Sequence, residues 1–435
     1  MRIERRQFLG QAAVLSGTVQ RTRGAGDRVR VGLIGCGGRG LYVANYMRQA
    51  PGVEFAAVCD VYQPHAERAR EWAGGDAGAY RDFRQLLDRK DIDAVLIATP
   101  DHWHAIPAVL ACQAGKDVYV EKPLAHNVRE GRAIVEAARR YNRVVQAGTQ
   151  HRSAPHFAEI AGIVQSGALG EVRFVRVWNY TNMWPNGIGR EPDSPVPEGL
   201  DWDFYLGPAP KVPFNRKRFL GTFRWFRDYA GGYITDYGTH RFATVHQVMG
   251  ADAPRTVSAA GGRFSIHDAG DVPDVLQVSY EYAGFVMSYE ACMMNAHGVG
   301  GRTPEMKYYH AVGPDDRPHG MAFYGTSGTI FADRIGYDIY PEPKNGRLER
   351  RHMNTTDATA LHTANFIDCV RSRKAPAAEA ETGHRATTIG HLGNISYWTG
   401  KKLHWDAARE DFNGEPEASR LLSRQARKPW NLLTG

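Results

Sequence analysis

The chain has 435 residues, of which 43% are hydrophobic and 23% are charged, and its formal net charge is +7. This length predicts two domains, each long enough to bury a core. The arginines are scattered rather than gathered on one basic helix, so the charge does not indicate nucleic-acid binding. No stretch reaches the roughly 18 apolar residues of a membrane span. The five cysteines include no C-x-x-C pair, so we expect no disulfide framework.

The first 27 residues are predicted to be an export signal and linker. Residues 4–10 (ERRQFLG) resemble a twin-arginine signal, and a short, weakly apolar segment follows at 11–17. A clear A-x-A cleavage site is missing, so a disordered basic tail is the alternative. The signal predicts a periplasmic or otherwise exported protein, or a cytoplasmic one if the signal does not function.

A dinucleotide-binding unit follows this segment. An apolar strand at 29–34 runs into the glycine-rich turn 35–40 (GCGGRG), then a helix at about 41–49, then a strand at 53–59 that ends at Asp60. The first glycine of such a turn allows tight bending, the second lets the backbone approach a pyrophosphate, and the third lets helix and strand pack closely. The residues predicted from this pattern to bind the cofactor are Gly35, Gly37, Gly38, Arg39, Gly40 and Asp60.

The acidic residue after the second strand favours NAD over NADP. The Asp60 carboxylate can accept hydrogen bonds from ribose hydroxyls, and it would repel a 2′-phosphate. Arg30, Arg39 or a neighbouring arginine could still accommodate that phosphate, so NADP is the less favoured alternative.

Short apolar strands alternate with amphipathic helices throughout residues 28–150. This pattern predicts an α/β fold whose N-terminal domain is a Rossmann doubly wound parallel sheet. Ligands of such sheets bind at the carboxyl ends of the strands. The segments 99–104 (TPDHWH) and 121–123 (EKP) both fall at those ends, where chemistry would occur.

Residues 151–435 are predicted to form a second, substrate-binding and oligomerisation domain. A helix at 153–166 and a strand at 172–178 precede a loop at 182–215 that is rich in Pro and Gly, and later strands have few helices between them. We expect an α+β domain with an open, mostly antiparallel sheet. Helices would cover one face and leave the other for a partner subunit, which predicts a homo-oligomer.

Three separated motifs occur in one order: the glycine-rich turn 35–40, the turn 121–123 and the segment 231–240 (GGYITDYGTH). Together they resemble the Gfo/Idh/MocA oxidoreductases, the family of glucose-fructose oxidoreductase and inositol dehydrogenase. The resemblance covers nearly the whole chain after the signal. It implies a Rossmann domain, then an α/β domain with an open sheet, and hydride transfer between a bound nicotinamide and a sugar or polyol.

The resemblance also implies roles for individual residues. The lysine of E-K-P and the Asp and His of D-x-x-x-H are the family's catalytic group, and they correspond to Lys122, Asp236 and His240. The strand-end segment is where the family contacts the nicotinamide and ribose. The further residues predicted to bind the cofactor are therefore Thr99, Pro100, Trp103, His104, Glu121 and Lys122.

The chemistry of these side chains agrees with that implication. Oxidation of a secondary alcohol needs a base for the hydroxyl proton, and His240 could serve. On a helix Asp236, four residues earlier, would orient the imidazole, while Lys122 would stabilise negative charge on the reacting oxygen. Taken singly, each has an ordinary structural explanation: a solvated turn lysine, a helix cap and a satisfied histidine.

Several side chains are candidates for substrate binding besides Lys122, Asp236 and His240. His151 and Arg152 open the second domain beside the same cleft, and Trp184 and Trp225 could offer flat apolar faces to a sugar ring. The alternative is that this aromatic segment is a packed loop. His104 either lines the pocket or caps the helix that follows it.

One departure from the family pattern limits what can be inferred about substrate. Many relatives continue as H-x-x-D, whereas Ala243 stands three residues after His240. A second acid that could bind substrate hydroxyls is therefore missing, and the preference of inositol-type enzymes does not transfer.

The leading hypothesis is an NAD-dependent oxidoreductase acting on a secondary hydroxyl of a sugar, polyol or glycoside. If the nucleotide stays bound, the hydride must return to a second carbonyl compound. The first alternative is a redox-neutral hydrolase or lyase, in which bound NAD oxidises a sugar hydroxyl and permits elimination before it is regenerated. The second is a non-catalytic sugar-binding protein that keeps NAD as a structural ligand. The histidine spacings predict no metal site.

Overall fold

The computed structural model describes residues 28–301, 316–346, 348–355 and 357–431. The predicted export signal at 1–27 lies outside the described residues, so it stays a prediction. Within the described ranges, no helix combines the length and the apolar character needed to cross a membrane.

The first domain is built on a six-stranded sheet. Its strands are β1 (Val29–Ile34), β2 (Val53–Cys59), β3 (Gly78–Tyr80), β4 (Ala94–Ile97), β5 (Asp117–Val120) and β6 (Val145–Ala147). All pairs are parallel, and the spatial order is β3-β2-β1-β4-β5-β6. The helices between them are α1 (Gly38–Met47), α2 (Gln63–Ala73), α3 (Phe83–Leu87), α4 (Ala105–Gln113) and α5 (Val128–Arg140).

This order is that of a Rossmann sheet, which confirms the predicted fold of the first domain. Strands β4 and β5 are buried along their whole length, as parallel strands are when helices cover both faces. Helix α1 begins at Gly38, three residues earlier than the sequence pattern predicted. The helix starts inside the glycine-rich turn because Gly37 serves as its N-cap in an extended conformation.

The second domain contains the remaining elements. Its strands are β7 (Val172–Asn182), β8 (Thr256–Gly262), β9 (Val275–Glu281), β10 (Val286–Cys292), β11 (Met294–Asn295), β12 (His319–Gly325), β13 (Gly328–Asp333), β14 (Gly336–Pro341), β15 (Arg351–Asn354), β16 (Leu403–Asp406) and β17 (Asp411–Phe412). Its helices are α6 (Pro155–Gln165), α7 (Trp202–Leu206), α8 (Tyr233–Asp236), α9 (Gly238–Met249), α10 (Thr359–Ser372), α11 (Ala380–Thr399) and α12 (Pro416–Arg420).

The second sheet is open and mostly antiparallel, as predicted. Its order is β15-β14-β13-β12-β7-β10-β9-β8-β16-β17, with β11 paired to β7. Only the β7–β10 pair is parallel among the described pairs of this sheet. Residues alternate between buried and more exposed along β9 and β10, because one face of the sheet packs on helices α6, α9 and α11 in a common core.

Helix α10 returns to the first domain although it lies late in the chain. Its residues Phe366 and Ile367 share one apolar cluster with Val31 of β1. At the edge of the first sheet, the amide of Ala147 donates a hydrogen bond to the carbonyl of Ala378 at 2.9 Å. The two domains therefore share an extensive interface, and this interface fixes the walls of the cleft between them.

The aromatic segment after β7 folds into a core of its own. Trp202, Tyr205 and Phe219 pack together there with further apolar side chains. Trp103 of the first domain docks on this core, because its indole N–H donates to the carbonyl of Tyr205 at 2.9 Å. The packed-loop alternative therefore describes Trp202 and its neighbours.

Candidate active site

A cavity of about 1090 Å³ lies between the two domains. This volume slightly exceeds the usual range for small-molecule sites, roughly 300–1,000 Å³. The first domain contributes the glycine-rich turn and the carboxyl ends of its strands, and the second contributes α8, α9 and the segment before them. The polar residues of its lining include Asp60, Asp101, Glu121, Lys122, His151, Arg224, Asp236, His240 and Arg241.

The glycine-rich turn has the backbone that its sequence predicts. Gly35 has φ +90°, and a Cβ there would lie 2.6 Å from the carbonyl carbon of Ala98. A Cβ on Gly40 would lie 2.0 Å from the carbonyl oxygen of Gly35, so Gly40 supports the turn through packing rather than by lining the cavity. A Cβ on Gly38 would meet nothing within 4 Å. The start of α1 therefore stays open to a phosphate group.

Asp60 is held in place by the backbone around it. Its Oδ2 accepts a hydrogen bond from the amide of Cys36 at 2.7 Å, and its Oδ1 accepts one from the amide of Tyr62 at 2.9 Å. The Nδ1 of His65 lies 3.6 Å from Oδ2. The carboxylate keeps lone pairs for ribose hydroxyls, since each oxygen can accept more than one hydrogen bond.

Of the arginines that could accommodate a 2′-phosphate, Arg30 and Arg39 are paired with carboxylates, whereas the neighbouring Arg68 and Arg81 also line the cavity. Arg39 lines the cavity, but its Nη2 donates to Oε1 of Glu121 at 2.9 Å. Arg30 pairs with Asp91 and does not line the cavity. The turn, the open helix start and the fixed carboxylate of Asp60 together fit a bound NAD.

Lys122 and Asp236 join the two domains at the centre of the cavity. The Lys122 ammonium donates to Oδ1 of Asp236 and, at 3.0 Å, to its backbone carbonyl. The Nε of Arg224 lies 3.3 Å from the other carboxylate oxygen. Burial raises the pKa of Asp236, but the charges of Lys122 and Arg224 outweigh it and lower the pKa to about 2. Asp236 is therefore ionised.

The expected contact between Asp236 and His240 is wrong. Both residues line the cavity, but the carboxylate is taken up by Lys122 and Arg224, and no hydrogen bond joins it to the imidazole among the described residues. Asp236 ends the short helix α8, and α9 begins two residues later. The physical reason is that Lys122 from the first domain and Arg224 supply a cationic partner to each of the two carboxylate oxygens.

His240 faces the cavity beside a second histidine. Its ring stacks on that of His151 with centroids 4.9 Å apart, and its buried Nδ1 has no hydrogen-bond partner among the described residues. Burial lowers the pKa of His240 well below its usual value, and His151 and Lys122 lower it further. A neutral imidazole follows, which is the form that can accept a proton.

Asp101 and Arg224 are site residues that sequence reasoning missed. Asp101 is only 5% exposed, and burial raises its pKa to about 7 against the opposing charges of Arg224 and Lys122. Asp101 lay within a segment marked for chemistry, but its burial depends on the second domain. Arg224 is brought in by a short 3₁₀ segment at Leu220–Trp225, for which the sequence carried no signal.

Four further residues that were predicted to bind the cofactor also lie at the cavity. Thr99, Pro100, Trp103 and His104 all belong to its lining. The side chain of His104 does not cap α4; its ring nitrogens lie 2.6 Å from the carbonyl oxygen of Pro123 and 2.9 Å from that of Thr99. His104 therefore braces two loops of the lining.

Two predicted substrate residues lie elsewhere. Trp184 is 60% exposed and outside the cavity lining, because the loop turns it away from the cleft. Arg152 is also outside the lining, since its guanidinium bonds the carbonyls of Ala377 and Ala243. His151 and Trp225 do line the cavity. Within the described ranges, no group of three His, Cys, Asp or Glu side chains is placed to hold a metal ion.

Comparisons with known proteins agree with this geometry. Residues 29–149 match the model of an oxidoreductase family with an NAD-binding Rossmann fold, and residues 155–286 and 325–432 match that family's C-terminal alpha/beta domain. An uncharacterised oxidoreductase from Rhizobium meliloti is 35% identical over 42% of this chain and 54% of its own length. Inositol 2-dehydrogenase from Salmonella typhimurium is 30% identical over 35% of this chain and 46% of its own. A glycosyl hydrolase family 109 protein from Shewanella is 33% identical over 34% of each.

The matched stretches thus span between about a third and about half of these curated relatives. Among solved structures, a levoglucosan dehydrogenase in complex with NADH and levoglucosan has a TM-score of 0.65 at 21% identity, covering 87% of this chain and 99% of its own. An aldose-aldose oxidoreductase from Caulobacter crescentus, complexed with glycerol, has a TM-score of 0.65 at 16% identity over 87% and 99%. With both domains matched in order, the chain belongs to the Gfo/Idh/MocA family of oxidoreductases and carries that family's NAD-binding Rossmann domain.

Proposed function

We propose that this protein transfers a hydride between bound NAD and a secondary hydroxyl of a sugar, polyol or glycoside. The observation that carries the proposal is that Lys122, Asp236 and His240 meet on one cavity that also contains the glycine-rich turn and Asp60. The named relatives include an inositol dehydrogenase and, at the level of fold, sugar oxidoreductases. NAD, when bound, supplies the hydride acceptor.

The protein's own residues manage the proton and the charge. His240 is neutral and lines the cavity, so its imidazole takes the hydroxyl proton. Lys122 is held by Asp236 and donates to the reacting oxygen, which stabilises the negative charge that develops there. Asp236 fixes the lysine in place, which is a different role from orienting the imidazole.

The test is to purify the protein, release and identify its nucleotide, and titrate sugars, polyols and glycosides while recording absorbance at 340 nm. Reduction of NAD by one class of compound supports the proposal and identifies that class. Absence of both retained and added nucleotide binding would refute it. If nucleotide is retained through purification, the second half-reaction must be sought with carbonyl compounds.

A redox-neutral glycosidase is the second candidate, and it is favoured by the similarity to the glycosyl hydrolase family 109 protein. In that chemistry a sugar hydroxyl would be oxidised by hydride transfer to bound NAD, and the neighbouring C–H would become acidic. The glycosidic substituent would leave by elimination, water would add in its place, and the hydride would return to the carbonyl. One assay distinguishes the glycosidase from the dehydrogenase. Glycoside cleavage without net NADH formation supports the glycosidase, whereas stoichiometric NADH formation supports the dehydrogenase.

Export and oligomerisation belong to the same proposal. The twin-arginine pattern at 4–10 supports export to the periplasm, and a Lys-Lys replacement of Arg5 and Arg6 should retain the protein in the cytoplasm. The sheet face that carries Phe174 and Val286 is partly exposed, at 40% and 39% for those residues. This face supports a homo-oligomer, which light scattering of the purified protein would test.

A further inference from the structure

Arg241 is a buried cation in the cavity wall with unused hydrogen-bonding capacity. Its side chain is 5% exposed and lines the cavity. Its Nη1 donates to the carbonyl of Tyr237 at 2.9 Å, one turn earlier on the chain. Within the described residues, no carboxylate lies within 4.0 Å of this guanidinium, which has five N–H donors.

The nearby carboxylates are already paired with other cations. Asp357 is bound by Arg334, and Asp333 lies 3.0 Å from the Nε of Arg317. Burial lowers the pKa of Arg241 to about 10, with Arg334 among the charges that oppose its protonation. The guanidinium is therefore charged near neutral pH. Among the described residues its close partners are the carbonyl and the ring of Tyr237, and none of them is a carboxylate.

A buried charge is costly unless a charge or several hydrogen bonds compensate it. Arg39 in the same cavity shows the compensated case, because Glu121 binds it at 2.9 Å. Arg241 directly follows His240 on α9, and both line the cavity. A substrate whose hydroxyl reaches His240 can therefore present an anionic group to Arg241.

We propose that the substrate is a sugar acid whose carboxylate binds the Arg241 guanidinium. This inference rests on the proposed function and narrows its substrate class. Guanidinium and carboxylate match in shape and form two parallel charge-assisted hydrogen bonds. The carboxylate is not altered. In the oxidation a C–H hydride goes to NAD, the hydroxyl proton goes to His240, and a carbonyl forms at that carbon.

A neutral sugar would compensate Arg241 less well. Its hydroxyls can accept hydrogen bonds from the guanidinium but leave the buried charge in place, whereas a carboxylate supplies both acceptors and charge. Charge preference, rather than ring stacking, would then set selectivity.

The experiment compares matched pairs that differ only in charge: glucuronate with glucose, and galacturonate with galactose. Two readouts are used, kcat/KM for NADH formation and the shift in melting temperature of the NAD-loaded protein at fixed ligand concentration. The acid of at least one pair should exceed its neutral partner in kcat/KM by about 10-fold or more, which corresponds to about 1.4 kcal/mol. The same acid should give the larger thermal shift.

The variants Arg241→Gln and Arg152→Gln separate the proposed contact from general effects. Arg152 also lies against α9, through its bond to the Ala243 carbonyl, but it is outside the cavity. Arg241→Gln should lose the preference for the acid in both readouts, and Arg152→Gln should retain it. If Arg241→Gln fails to bind NAD, Arg241→Lys is tested instead. This variant should keep the preference for the acid but bind it more weakly, because lysine lacks the paired N–H donors of the guanidinium.

The outcomes test this inference separately from the proposed oxidoreductase function. Equal responses to acid and neutral sugar in the wild type, or an acid preference that survives Arg241→Gln, would overturn the carboxylate contact. NADH formation with neutral sugars alone would overturn the contact and leave the oxidoreductase proposal standing. Acid-specific thermal shifts without NADH formation or glycoside cleavage would support the contact and count against the proposed reaction.

Discussion

The carboxylate of Asp236 is bound by Lys122 from the other domain, although His240 stands only four residues along the chain. The pair is largely shielded, with side-chain exposures of 12% for Lys122 and 15% for Asp236. Because each partner belongs to a different domain, the ion pair depends on the domains keeping their relative position. Under the proposed function, it also holds the ammonium at the place where charge develops in the reaction.

The first prediction concerns this pair. Lys122→Met should lower kcat/KM by about 100-fold or more, since loss of one donor to a developing oxyanion costs about 10²–10³ in rate. The affinity for NAD should fall far less than kcat/KM even though Lys122 is also a predicted cofactor contact, because Asp60 and the glycine-rich turn are untouched. Steady-state kinetics and a fluorescence titration of NAD measure the two effects. The exposed Lys211→Met serves as the control; equal losses in both variants would contradict the assigned role.

The second prediction concerns the protonation of His240. Burial lowers its pKa well below 6.5, so the imidazole should stay neutral as pH falls through 6.5. Between pH 7.5 and pH 6.5, protonation of His240 should therefore cause no loss of kcat/KM for oxidation. Any loss seen in that range should also be present in His240→Asn. The variant itself should lose about 10²–10⁴ in rate at every pH, the usual contribution of a general base. A fall in kcat/KM near pH 6.5 that is absent from His240→Asn would show that His240 is not desolvated.

The fold was predictable because its signals are local. Alternating apolar strands and helices define the first sheet, and Gly35 and Gly40 occupy positions where a Cβ would collide with backbone. The residues of the cofactor site follow from the same turn. The partner of Asp236 was not predictable, because Lys122 reaches its carboxylate from the other domain.

Contacts across the domain interface were also not predictable from the sequence. Arg224 and Asp101 approach the centre of the cavity only when the second domain docks, and no spacing in the sequence encodes that approach. Trp184 illustrates the reverse error. An aromatic residue near a predicted cleft suggested a sugar platform, but the loop exposes this side chain to solvent. Residue type indicated chemistry in both cases, while position depended on tertiary structure.

The third prediction concerns the cofactor. Asp60→Asn keeps the size of the side chain and removes its charge, so ribose hydroxyls lose a charged acceptor. The Kd for NAD should rise about 10-fold, because a hydrogen bond to a charged group contributes about 1.5–3 kcal/mol. NADP should bind better than it does to the wild type, since the repulsion of the 2′-phosphate is removed. Titrations of both nucleotides measure this, with Glu54→Gln on strand β2, which ends just before Asp60, as the control; an unchanged ratio would contradict the role of Asp60.

The last prediction concerns Asp101, whose pKa is raised from 3.8 to about 7, chiefly by burial. The folded protein therefore binds a proton that the unfolded chain releases between these values. The stability contributed by protonated Asp101 is complete below pH 3.8 and is lost as pH rises through 7. Asn cannot ionise, so Asp101→Asn should gain stability relative to the wild type as pH rises. Integrating the linkage from pH 5 to pH 8 gives a relative gain of about 2 to 3 kcal/mol.

Urea unfolding of the wild type and Asp101→Asn at pH 5 and pH 8 measures this gain as a change in transition midpoint. The matched control is Asp76→Asn, which alters an exposed carboxylate after α2 and should shift with pH as the wild type does. If the advantage of Asp101→Asn is the same at both pH values, Asp101 is ionised throughout and the charges of Arg224 and Lys122 compensate its burial. A pH-dependent advantage instead makes Asp101 a group that takes up or releases a proton beside the Lys122–Asp236 pair near neutral pH.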